Sequence, residues 1–249
     1  MSTLARLEVA GPVATLTLCR EDARNALSLD LLAALHIRAD ELASRDDISV
    51  LVITGAGKSF CAGMDLKAVL GNNELALKLL MTLADLTVKI RTLPMVTVAR
   101  VNGAAIGGGC GLTCVCDVAV THADAKLGYP EVDLGVCPAV VAPWLVRKVG
   151  AGRARRILLM GGLVSGSEAH AMGMVDHLAT DLAGLDAATD AVVKHLASAG
   201  PHALRATKKL LNELDGSIDI NIVREGARLS AQVLSTPQAQ AALSAKMSK

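Results

Sequence analysis

The sequence predicts an α/β fold, on three observations. Up to residue 121, short apolar runs of strand length alternate with longer stretches of helical periodicity. From about residue 139 the helical patterns follow one another, separated by glycines. Apolar residues make up 52% of the 249 and charged residues 20%, enough to fill a large core and too apolar for disorder.

Each element has its own signal. Residues 4–10 and 12–18 alternate polar and apolar side chains around Gly11-Pro12, which reads as a β-hairpin. Residues 28–43 carry leucines at helical spacing behind Ser28, a good N-cap. Residues 48–54 (ISVLVIT) form a buried strand that stops at Gly55-Ala56-Gly57. A helix follows over 74–92 and is broken by Pro94. Residues 95–101 form a second buried strand, the glycine run 107–109 opens a short apolar segment to Cys116, and 117–121 form a further strand. Helical patterns then cover 139–149, 152–160, 167–173, 184–199, 201–214 and 219–236.

Composition excludes several functions. The formal net charge is +1, so nothing draws the chain to nucleic acid or to an anionic membrane. One Phe, one Tyr and one Trp leave no stacking platform for single-stranded nucleic acid. No run reaches the roughly 18 apolar residues of a membrane span, and the N-terminus reads as a strand rather than a signal peptide. A cytoplasmic protein is expected. The six cysteines form no CxxC pair, and most lie in apolar runs as reduced buried thiols. Cys114 and Cys116 alone do not make a metal site, so none is expected. His122, His170 and His177 have neither ligand spacing nor a nucleophile partner, which points to surface or capping roles. Asp117 reads as a backbone acceptor between strand and helix, and Lys208 and Lys209 as a solvated helix face.

Two glycine-bearing segments carry the chemistry. The first, residues 54–66, contains Gly57-Lys58-Ser59. A phosphate-binding P-loop needs a glycine five residues before Gly57, and Val52 stands there. The second, residues 102–111, is not a dinucleotide fingerprint, because Leu112 replaces its last glycine. Physically, a glycine run that opens a helix lets a ligand approach N–H groups lacking internal partners, at the positive end of the helix dipole. Paired with an N–H from another tight turn, such a group makes an oxyanion hole.

The stretches FCAGMDL at 60–66, NGAAIGGGCGL at 102–112 and LGYPEVDLGV at 127–136, with RNAL at 24–27 and ITGAGKSF at 53–60, resemble the crotonase (enoyl-CoA hydratase/isomerase) superfamily. The likeness runs from about residue 4 to at least 180. It implies a ββα spiral core over 1–190 and a helical region over 191–249 that mediates a homotrimer or a dimer of trimers. It also implies that coenzyme A enters as part of the substrate, with no separate cofactor. By the family's motifs, the backbone N–H groups of Met64 and Gly108 receive the thioester oxygen, and Glu131 is the acid/base. Arg24, Ala26, Ala62, Asp65, Leu66 and Lys67 fall where the family binds coenzyme A, and the acyl chain is expected against Met64 and Leu70. Asp65 also suits the simpler role of opening a helix, and Tyr129 suits either the pocket or the core.

One departure matters most. Hydratases of the family carry a second glutamate where this chain has Gly111. A single carboxylate suits the proton shuttle of a Δ3-Δ2 enoyl-CoA isomerase. Against that, residues 137–144 (CPAVVAPW) resemble a branch mostly assigned as hydratases of branched or glutaconyl-type CoA esters. The resemblance therefore favours water addition to a 2-enoyl-CoA, with the isomerase as the alternative. A catalytically weak relative that binds acyl-CoA or RNA is the third reading, and the balanced charge speaks against RNA.

Overall fold

The computed structural model describes residues 4–247. β1 (Ala5–Ala10) and β2 (Val13–Leu18) pair antiparallel, with Ala10 opposite Val13 across a turn in which Gly11 takes a positive φ of 58°. α1 (Leu29–Ala43) starts where Ser28 Oγ accepts the Leu31 N–H at 3.2 Å. The chain then winds through three ββα units. The first is β3 (Val50–Gly55), β4 (Ser59–Cys61), the one-turn α2 (Leu66–Val69) and the long α3 (Asn73–Thr92). The second is β5 (Val96–Val101), β6 (Ala104–Ile106) and α4 (Gly108–Val115). The third is β7 (Val118–His122), β8 (Lys126–Gly128) and α5 (Ala142–Val149). There follow α6 (Ala151–Met160), β9 (Leu163–Ser165), α7 (Gly166–Ala171), β10 (His177–Ala179), α8 (Leu185–Ala197), α9 (Pro201–Leu214), α10 (Ile220–Leu234) and α11 (Pro237–Met247).

First strands and second strands of the units build separate sheets. One has the order β1-β2-β3-β5-β7-β10, parallel except for the β1–β2 hairpin. The other is β4-β6-β8-β9, antiparallel only at β9. The larger sheet is covered on both sides, which is why ISVLVIT shows no polar alternation. Leu51, Ile53, Ala99 and Ala119 face the main core with α1 and α3. Val50, Val98 and Val120 face Leu185 at the start of α8. The boundary drawn at residue 190 thus falls inside α8, a helix packed on the core sheet.

α4 is buried along its whole length, and its entry glycines let it sit directly on β4: a Cβ at Gly109 would lie 2.1 Å from the Cys61 carbonyl oxygen. α10 lies along α3, with Arg224 bidentate on Asp85 at 2.8 and 3.0 Å. α11 turns back over the short 3-10 turn Val132–Leu134, and Gly135 leaves room for Ala239 and Ala242.

Three sequence expectations change. Lys208 is not on a solvated face. It is buried, and its Nζ donates to the Met95 carbonyl at 2.9 Å and to Asp117 at 2.8 Å. Asp117 also accepts from the Thr97 N–H at 2.7 Å and Oγ1 at 2.9 Å, so one carboxylate ties β5 to α9. Burial lowers the Lys208 pKa, and Asp117 opposes that pull. His122 is not a surface or capping residue: it closes β7 buried, with both ring nitrogens unpartnered among the described residues. His170 and His177 are exposed as expected. All six cysteines are free, but Cys19 and Cys137 are only half-buried.

Candidate active site

A cavity of about 90 Å³ lies where the N-terminus of α4 meets the turn after β4, under α3 and α10. Its position follows from a chain of local constraints that begins at Asn25. This residue is fully buried and adopts a positive φ of 56°, which Asn tolerates better than most side chains. Its Nδ2 donates to the carbonyls of Ala56 at 3.0 Å and Ser59 at 2.8 Å, and its Oδ1 accepts the Arg20 N–H at 2.9 Å. The loop 20–27 is thereby pinned beside β4. Leu27 then bridges to Met64, and its N–H donates to the Gly63 carbonyl at 2.7 Å.

That bond orients a peptide. In a trans peptide the C=O and the following N–H point in opposite directions. With the Gly63 carbonyl held toward Leu27, the Met64 N–H points the other way, and Met64 lines the cavity. The same reasoning applies at α4. The Gly107 carbonyl accepts from the Gly111 N–H at 2.9 Å, so the Gly108 N–H points out of the helix start, where no helical acceptor exists. The two turns are neighbours: a Cβ at Gly63 would come within 2.7 Å of the Ile106 carbonyl oxygen and 3.7 Å of the Gly108 nitrogen. Only glycine, here at φ 91°, fits that space.

Glu131 enters from the third ββα unit at the head of the Val132–Leu134 turn. Its carboxylate lies over Gly107, where a Cβ would meet Oε1 at 2.6 Å. Oε2 is shielded from solvent and has no hydrogen-bond partner among the described residues. Burial pushes the carboxyl up to about 7, and the Asp133 carboxylate adds to the push. Glu131 is the one carboxylate on the cavity wall among the described residues. The other polar side chains there are Ser230, whose hydroxyl donates to the Cys137 carbonyl at 2.8 Å, and the Cys137 thiol, whose pKa burial also raises.

The position that interrupts the family pattern has a structural counterpart. A Cβ at Gly111 would lie 2.4 Å from the Val141 Cγ1 and 2.8 Å from its Cβ. Val141, buried at the start of α5, therefore fills the space a side chain at 111 would need. Sequence reading named Gly111 but not Val141, because their proximity is set by the packing of α5 on α4. It also missed Ser230 and Leu234 of α10, which close the cavity from the C-terminal region.

The other expected residues sort cleanly. Asp65 caps α2 by accepting the Ala68 N–H at 3.4 Å and pairs with Arg20 at 2.7 Å. The N–H groups of Ala62, Asp65 and Leu66 are already committed to the carbonyls of Arg24, Leu27 and Met64. Ala26 donates its N–H to the Ala23 carbonyl, and its own carbonyl accepts from Arg20 Nη1 at 2.9 Å. These residues therefore offer a ligand carbonyls and apolar surface rather than free N–H groups. Arg24 and Lys67 are exposed, and neither makes an ion pair among the described residues. Tyr129 is in the core, its hydroxyl 3.4 Å from the Cys114 sulfur, and does not line the cavity. Leu70 packs against the main core at the end of α2.

Comparison with known proteins agrees with this architecture. The family described as Enoyl-CoA hydratase/isomerase matches residues 8–247. Enoyl-CoA hydratase ACTT6 of Alternaria alternata is 37% identical over 82% of this chain and 67% of its own. The 2,3-dehydroadipyl-CoA hydratase of Escherichia coli K12 is 35% identical over 81% of this chain and 78% of its own. Among solved structures, an enoyl-CoA hydratase from Mycobacterium avium superposes with a TM-score of 0.89 at 28% identity, covering 100% of this chain and 97% of that one.

Proposed function

This chain belongs to the enoyl-CoA hydratase/isomerase family, and from that premise we propose that it adds water to a 2-enoyl-CoA thioester, with Glu131 as acid and base. The observation that carries the reading is the placement of one buried carboxyl, poised at about 7, over the glycine turn that opens α4. A group that titrates near the operating pH can both accept and return a proton. The thioester carbonyl lies between the N–H groups of Met64 and Gly108, each of which supplies on the order of 3 kcal/mol to an enolate-like transition state. Glu131 takes a proton from water as it attacks C3 and delivers one to C2. The cations Arg24 and Lys67 face the phosphates of coenzyme A, and Ala26, Ala62, Asp65 and Leu66 line its path.

A specific observation favours a second reading. With Val141 pressed onto Gly111, no second carboxylate stands on the cavity wall among the described residues. One base moving a proton between C2 and C4 makes this a Δ3-Δ2 enoyl-CoA isomerase. Turnover of paired 2-enoyl- and 3-enoyl-CoA esters, followed by the absorbance of the conjugated thioester, separates the two. Loss of conjugation from the 2-enoyl ester supports hydration. Gain from the 3-enoyl ester without any loss from the 2-enoyl ester supports isomerisation.

The assembly we propose is a homotrimer or a dimer of trimers. Leu210, Leu211 and Leu214 of α9, with Leu159 and Met160 of α6, are more than half exposed, an apolar load unusual for a monomer's surface. Light scattering at micromolar concentration tests this directly. Among the described residues no helix is long and apolar enough to cross a membrane.

A further inference from the structure

We infer that the acyl group this cavity accepts is short and carries no charge at its far end, with Leu234 of α10 as a determinant of its length. The inference rests on the thioester reading above and refines it. The cavity has an open side and a closed side. Met64, Leu66, Glu131, Leu134, Val136 and Cys137 are partly exposed and mark the open side. Leu83, Val140, Val141 and Leu234 are buried and mark the floor. A tail that enters past Glu131 therefore ends on aliphatic side chains contributed by α3, α5, α10 and the segment between Glu131 and α5.

The volume limits the length. Room for a single water takes roughly 10–15 Å³. At about 90 Å³ the cavity is small, and the thioester and the reacting carbons share it with the tail. Extension beyond the floor is blocked, because Leu83 and Leu234 lie within the main core.

The chemistry of the wall limits the charge. Among the described residues no Arg, Lys, His, Asn or Gln lines the cavity. The Ser230 hydroxyl, the one buried hydroxyl among the described lining residues, is already given to the Cys137 carbonyl. A carboxylate at the end of the acyl chain, as in a glutaconyl-type ester, is desolvated there without a partner, and it adds charge to a space that already holds Glu131. A methyl end meets only aliphatic neighbours and gains from burial.

The test uses the whole protein and saturated acyl-CoA esters, whose binding does not depend on turnover. Calorimetry should rank butyryl-CoA and hexanoyl-CoA above decanoyl-CoA by about tenfold or more. Hexanoyl-CoA should bind about a hundredfold more tightly than the six-carbon ester ending in a carboxylate. Leu234→Ala should narrow the gap between hexanoyl-CoA and decanoyl-CoA. Leu234→Met, which keeps the volume, should preserve it, and this controls for a loss of folding. Equal affinities across lengths and chain ends overturn the inference and leave the thioester reading intact. Failure of every ester to bind overturns both.

Discussion

The two walls of the cavity are built on the same helix and differ completely in chemistry. Gly107, just before α4, leaves a space that Glu131 fills with a carboxylate. Gly111, one turn further on, leaves a space that Val141 fills with methyl groups. In each case a missing side chain admits a partner from a distant segment, and the partner decides the chemistry. One wall can move protons and the other can only exclude water and shape the acyl group. In the proposed mechanism the catalytic part is therefore one-sided, and the asymmetry is a packing choice made by residue 141 as much as by residue 111.

The largest effect should come from removing the polar wall. Glu131→Gln keeps the shape and abolishes the base, so kcat should fall by about 10²–10⁴ while the affinity for CoA esters changes little. Steady-state kinetics alongside calorimetry checks both halves. Full activity in this variant on every active substrate would falsify the assignment and move the search to Asp65 or Cys137.

The same substitution should stabilise the fold at alkaline pH. The folded carboxyl keeps its proton up to about 7, whereas in the unfolded chain it ionises in the ordinary carboxylate range. Between those values unfolding releases a proton, so stability falls as pH rises through that window, and the full cost is reached above it. The difference corresponds to about 3 kcal/mol at most. Relative to the native protein, Glu131→Gln should show a higher Tm at pH 8 and no advantage below pH ~4. Equal melting curves at both pH values would mean that Glu131 is not desolvated in the folded state. The rate should rise with pH through the same apparent value, because the ionised form is the base.

The apolar wall is tested by refilling it. Gly111→Glu alone forces a side chain into Val141 and should destabilise the protein by about 1–3 kcal/mol, read by denaturant titration. Adding Val141→Ala should recover part of that loss. If the double variant also gains hydratase activity on crotonyl-CoA, the missing carboxylate was the limit. If turnover drops further, the apolar wall belongs to the mechanism, as the isomerase reading requires.

How far this asymmetry could be read in advance depends on sequence distance. The Gly11 hairpin, the Ser28 cap, the break at Pro94 and the glycine run were legible because their signals are local. The motif singled out Glu131, and the structure places it on the cavity wall. The three-residue strands β4, β6, β8, β9 and β10 were not, since three residues cannot display a period-two pattern. Nor was Lys208, whose helix carries charge on both sides, and whose burial depends on Asp117 about ninety residues earlier. Val141 escaped for the same reason: an apolar residue in an apolar run reveals its importance only through the space it fills. α11 lay beyond the last pattern read, although Pro237 at its first turn marks a helix start.

The smallest predicted effect concerns how the entrance is held against the floor. Gln240 of α11 spans the two: its Oε1 accepts the Gly71 N–H at 3.0 Å, and its Nε2 donates to the Leu234 carbonyl at 2.7 Å. Gly71 ends the short stretch carrying Leu66 at the entrance, and Leu234 is part of the floor. Each bond is worth about 1 kcal/mol net, because water replaces it when it is lost. Neither group touches the reacting carbons. Gln240→Ala removes both and should therefore lower stability by about 1–2 kcal/mol and raise KM several-fold, with kcat within about twofold of the native value. Gln240→Glu keeps the acceptor toward Gly71 but loses the donor toward Leu234, so it should retain part of the entrance effect. A fall in kcat as large as that of Glu131→Gln would show that α11 positions the base itself, through the Val132–Leu134 turn it covers, and that the polar wall depends on the C-terminal helix.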